Sequence, residues 1–128
     1  IGERDDVLAV ARWSRAHYPE PLWLAGFSFG ACMAVRAAAE AQARALVLVA
    51  PAVERYGLDA YPVAVPLTLA QGLADDVVDP PATLAWAQRQ PGLETLLTFD
   101  EADHFFHGAQ VALRQRLLEA LGGRAGGT

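Results

Sequence analysis

The chain has 128 residues, 53% of them hydrophobic and 20% charged, enough to bury the core of one domain and outside the composition of disordered chains. Its net charge is −5 and all ten cations are arginines spread singly along the sequence, which excludes a basic nucleic-acid surface. Pro51, Pro62, Pro66 and charged side chains break every apolar stretch well short of the length that crosses a bilayer, so the chain is expected to be soluble and not to partner a membrane.

Glu3 to His17 reads as a helix with Val7, Leu8, Val10, Ala11 and Ser14 on one face, ended before Pro19. An apolar run, Leu22-Trp23-Leu24-Ala25, then leads through Gly26-Phe27-Ser28-Phe29-Gly30 into an alanine-rich helix that reaches about Gln42. Ala45 to Ala50 predicts a second strand, Pro51 to Pro62 a loop, Val65 to Gln71 a third strand, and Ala82 to Gln90 a helix after Pro80-Pro81. Leu93 to Phe99 is a fourth strand and Gly108 to Leu121 a closing helix. Residues 1–122 thus form one domain, and the glycine-rich 123–128 is a tail expected to fray. Strands apolar on both faces and alternating with helices imply an α/β class: a mainly parallel sheet with helices on both faces and all strand C-termini on one edge. That edge is where a site is expected. The 51–62 loop is too short for a helical cap, so the site should be open or covered by other segments.

The G-x-S-x-G pattern carries the strongest chemical signal because it falls at a strand-to-helix junction. A serine hydroxyl is a poor nucleophile until a turn presents it to a base and a helix N-terminus faces the reacting carbonyl. Gly26 and Gly30 would let strand and helix approach closely around a strained Ser28. Ordinary strand-to-helix loops also contain glycine and serine, and the flanking strand and helix favour a nucleophile elbow over a plain turn. The single cysteine, Cys32, excludes an intrachain disulfide and fits a cytoplasmic setting. It lacks a glycine-flanked turn and is read as a small core residue rather than a second nucleophile.

An activated serine needs a base and a group that orients the base. After the third strand, Gln71-Gly72-Leu73-Ala74-Asp75-Asp76-Val77-Val78-Asp79-Pro80 brings carboxylates to the strand-end edge, where Asp75 or Asp76 can orient a histidine. Asp76 and Asp79 can alternatively cap the helix that follows. After the fourth strand, Asp103-His104-Phe105-Phe106-His107-Gly108 places His104 as the better base, His107 toward the helix start and Asp103 as a loop-shaping residue. Asp100, Asp103, His104 and His107 could instead gather a metal, but the remaining histidine, His17, is at the end of the opening helix and the serine motif would go unexplained.

Taken together, Leu-Ala-Gly-Phe-Ser-Phe-Gly-Ala, Gln-Gly-x-x-Asp-x-Val-Val and Asp-His-Phe-Phe-His-Gly resemble the α/β-hydrolase fold superfamily, in particular its small, dienelactone-hydrolase-like bacterial members. The resemblance covers nearly the whole chain. It implies a cofactor-free serine hydrolase of ester-like or activated acyl substrates, with Ser28 as nucleophile, Asp75 as acid, His104 as base and the backbone N–H of Phe29 in the oxyanion hole. It implies no metal ligand. The fold normally places several strands and a second oxyanion donor ahead of the elbow, whereas one helix precedes it here and the first residue is Ile1. The chain is therefore expected to be the C-terminal part of the fold, poorly stable and almost inactive when isolated. The alternatives are a non-catalytic scaffold of this fold used for binding, or a metal-dependent hydrolase built on residues 100–107.

Overall fold

Leucine- and valine-rich runs of five to seven residues, too short for stable helices and interrupted by helical segments, collapse into a parallel sheet. A computed structural model describes residues 23–126, so the helix expected at Glu3 to His17, with His17 itself, lies outside the described residues. The elements are β1 (Trp23–Phe27), α1 (Phe29–Ala41), β2 (Ala45–Val49), a 3₁₀ turn (Leu58–Ala60), β3 (Leu67–Gly72), α2 (Pro80–Gln88), β4 (Leu93–Phe99) and α3 (Gln110–Gly126). The four strands pair in the order β1-β2-β3-β4, every pair parallel.

Alternation along the strands sorts the core into two layers. Leu46, Leu48, Leu67 and Leu69 pack with Cys32 and Val35 of α1 and with Trp86 and Ala87 of α2 on one face. Ala70, Phe99, Val49 and Leu97 pack with Leu113 and Leu117 of α3 on the other. Helices therefore cover both faces, and Cys32 is a fully buried core residue whose thiol burial pushes up in pKa.

Several boundaries differ from the sequence reading: β2 ends at Val49, β3 spans Leu67–Gly72 rather than Val65–Gln71, the helix after Pro80-Pro81 ends at Gln88 and the last helix starts at Gln110, and three further shifts have a local cause. β1 extends to Phe27, two residues into the glycine motif, because its ladder to β2 continues to the Phe27–Val49 pair. α2 starts at Pro80 rather than Ala82. Proline lacks only an N–H that the first turn does not use, and the Asp79 side chain caps that turn by accepting from the Ala82 N–H at 3.2 Å. α3 runs past Leu121 to Gly126, since helical glycine costs only about 1 kcal/mol against alanine.

Among the described residues, no helix is long and apolar enough to cross a membrane.

Candidate active site

Parallel strands deliver three loops to one sheet edge, and the interstrand hydrogen bonding continues into them. The Ser28 N–H donates to Val49 O at 2.9 Å, the Ala50 N–H to Ala70 O at 2.9 Å, and the Leu73 N–H to Phe99 O at 3.0 Å. Beyond the strands, the Ala74 N–H donates to Ala102 O at 3.0 Å, and Gly72 lies so close to Ala102 that a Cβ would overlap its carbonyl. The acid loop and the histidine loop are thus fixed to each other by backbone.

Ser28 sits at φ 54°, a left-handed conformation that a non-glycine residue holds only when its surroundings impose it. Those surroundings are the β1 ladder on one side and α1 on the other. A Cβ on Gly26 would come within 2.5 Å of the Gly30 and Ala31 backbone, so glycine is required there for strand and helix to meet. The same reasoning does not extend to Gly30, where an added Cβ meets no described atom within 4 Å. The close approach occurs at the backbone of Gly30, not at the place its side chain would occupy.

The Ser28 hydroxyl lies 3.0 Å from His104 Nε2. His104 Nδ1 lies 2.8 Å from Asp75 Oδ2. An ionised carboxylate only accepts, so Nδ1 carries the proton toward Asp75 and Nε2 is left to accept from the serine. His104 is 2% exposed and Asp75 8%. Burial pushes the Asp75 carboxyl up in pKa, but hydrogen bonds from Val78 N–H, His104, Val77 N–H and Gln71 outweigh it and hold the group below the ordinary carboxylate range. The donors to Oδ1 are the N–H groups of Val77 at 2.8 Å and Val78 at 2.9 Å.

Other side chains singled out in the sequence take separate places. Asp76 is exposed, and Asp79 caps α2. His107 is exposed, its Nδ1 2.7 Å from Asp103 Oδ2 and its N–H donating to Asp103 Oδ1 at 2.9 Å. These bonds from His107, the side chain first, hold the Asp103 carboxyl down in pKa. The two loop histidines thus engage different carboxylates, and no group of three or more potential metal ligands gathers among the described residues. Phe29 opens α1, so its N–H lacks an intrahelical acceptor and stands beside Ser28 at the positive end of the helix.

Aromatic rings flank the serine. Phe27 lies 5.1 Å from the His104 ring and 5.8 Å from Phe105, while Phe29 meets Tyr56 edge-on at 5.1 Å. A cavity of about 390 Å³ opens from Ser28 between the loops after β2 and β3, lined by Val53, Tyr56, Val77 and Thr83 and by the charged Glu54, Arg55 and Asp79.

Among solved structures, an α/β serine hydrolase without lid from Xanthomonas campestris is 40% identical with a TM-score of 0.85, the alignment covering 93% of this chain and 55% of that one. A homologue of α/β serine hydrolases from Coxiella burnetii is 35% identical with a TM-score of 0.87, covering 94% and 59%. This chain has the α/β serine hydrolase fold. It spans little more than half the length of either of these two α/β-hydrolase-fold proteins. No protein-family model and no curated protein matches it.

Two contributors to this arrangement were not assigned from sequence. Gln71 stands in the Gln-Gly-x-x-Asp pattern, yet only the folded loop turns its amide toward Asp75. Phe106 anchors the histidine loop from φ 55°, a conformation that phenylalanine does not signal.

Proposed function

We propose that the protein is a serine hydrolase that cleaves ester-like or activated acyl bonds through Ser28, His104 and Asp75, without a cofactor. The observation that carries this reading is the continuous hydrogen-bonded line from Ser28 Oγ through His104 to Asp75. Ser28 Oγ adds to the acyl carbon while its proton passes to His104 Nε2, and the Phe29 N–H donates to the oxyanion. Collapse of the tetrahedral species returns the proton to the leaving group and leaves an acyl-serine. Water, deprotonated by the same Nε2, then releases the acid. Asp75 holds the imidazole tautomer and balances its transient charge. A single, buried cysteine is in keeping with a reducing, cytoplasmic setting. Mass spectrometry after fluorophosphonate treatment of the full protein should find the adduct on Ser28. Modification of a different serine with Ser28 untouched would sink the proposal.

The cavity beside Ser28 suggests how the substrate is oriented. Nε2 must reach the leaving-group oxygen, yet His104 does not line the cavity. The acyl portion therefore enters it and the leaving group lies on the His104 and Phe105 side. Val77 lines that cavity and is exposed, so Val77→Trp adds bulk there without overpacking the core. In a series of p-nitrophenyl esters, this substitution should lower kcat/KM for octanoate relative to acetate by roughly tenfold or more. An unchanged chain-length profile would put the acyl group elsewhere.

A further inference from the structure

We propose that Gln71 is a positioning residue for the reaction: its side-chain amide fixes the Asp75 carboxylate and limits how strongly that carboxylate holds the His104 proton. The inference rests on the hydrolase reading above. Gln71 is fully buried on β3. Its Nε2 donates to Asp75 Oδ2 at 3.0 Å and to Gly72 O at 2.8 Å. Both partners are acceptors, which determines the amide orientation, because a flipped side chain would set oxygen against oxygen. Its Oε1 is buried with no described hydrogen-bond partner, so the residue gives up one hydrogen bond in order to supply donors at this point.

Asp75 Oδ2 is shared between two donors, Gln71 Nε2 and His104 Nδ1. A second donor on the same oxygen draws charge from the bond to His104 and locks the carboxylate plane that the Val77 and Val78 N–H groups hold from Oδ1. Without Gln71, Oδ2 binds Nδ1–H more strongly, stabilises the imidazolium and makes His104 harder to deprotonate. The neighbouring titratable groups do not substitute for it. On the acid loop, Asp76 and Asp79 are exposed; on the histidine loop, Asp100 and Glu101 are exposed, and Asp103 is bonded to His107; on the loop after β2, Glu54 and Arg55 are exposed where they line the cavity beside Ser28.

The test compares kcat/KM against pH for the full wild-type protein, Gln71→Met and Gln71→Glu, using p-nitrophenyl acetate. Methionine conserves length and removes both donors. Its acidic limb should move to higher pH by several tenths of a unit, with kcat lower by on the order of tenfold from looser alignment. Glutamic acid donates the same hydrogen bond while protonated and faces Asp75 as a second anion once ionised. Gln71→Glu should therefore show a descending alkaline limb that the wild type lacks. A methionine variant with reduced activity and an unmoved acidic limb would reduce Gln71 to core packing and overturn the proposal.

If both variants fail to fold, the side-chain amide resonances of Gln71 in the wild-type protein carry the test. They should titrate with the midpoint of the acidic limb, and pH-invariant resonances would overturn the inference. Absence of any Ser28-dependent turnover in the wild type overturns the hydrolase reading and this inference with it. Normal wild-type turnover beside an unmoved limb overturns the inference alone.

Discussion

Asp75→Asn is expected to lower kcat by about 10⁴-fold, and His104→Ala by at least as much, while Asp76→Asn and His107→Ala change it little. The contrast follows from what each group touches. Asp75 and His104 are buried and joined at 2.8 Å, so an amide at position 75 can offer an N–H where His104 needs an acceptor. The imidazole then turns its lone pair to Nδ1, and Nε2 no longer takes the serine proton. Asp76 is exposed on the same loop. His107 pairs with Asp103 at a solvent-exposed position, where water and salt screen the pair. Steady-state turnover of p-nitrophenyl acetate by the four variants of the full protein checks the assignment. Comparable losses at both aspartates would withdraw Asp75 as the orienting acid.

Much of the fold was legible because its signals are local. β4 coincides with the apolar run Leu93–Phe99, and the two-faced hydrophobicity of β2 and β3 already required helices on both sides of a parallel sheet. The serine turn was legible because the glycine-serine pattern falls between an apolar strand and an alanine-rich helix. Legibility falls off where the decisive fact is direction. Asp75 and Asp76 are adjacent and chemically alike. The loop turns one carboxylate inward, where the N–H groups of Val77 and Val78 and the side chains of Gln71 and His104 converge on it. Gly30 looked equivalent to Gly26 in sequence, yet only a Cβ at Gly26 would strike the helix backbone. Gln71 reads only as the end of the third strand, and its contact with Asp75 forms only after the chain turns at Gly72.

Phe106→Ala is expected to destabilise the full protein by about 3–5 kcal/mol, lowering its melting temperature on the order of 10 °C, and to reduce turnover even where it remains folded. Phe106 is 1% exposed and meets Phe99 edge-on at 5.3 Å, with the Arg116 guanidinium 4.3 Å over the Phe99 ring. Backbone bonds from the Phe106 N–H to Asp103 O and from the Ala109 N–H to Phe106 O make this ring the plug that seats the loop bearing His104. Removing it frees the base to wander from Ser28, so kcat should fall in the folded variant. An unaltered kcat at low temperature would confine Phe106 to a packing role. Position 106 also sits at φ 55°, where any side chain with a Cβ is strained by roughly 1 kcal/mol. Alanine creates the cavity and keeps the strain, whereas glycine creates nearly the same cavity and relieves it. Phe106→Gly should therefore melt above Phe106→Ala, the reverse of the order at right-handed or extended positions. Equal or inverted melting temperatures would show that the loop relaxes out of the left-handed conformation once the ring is gone.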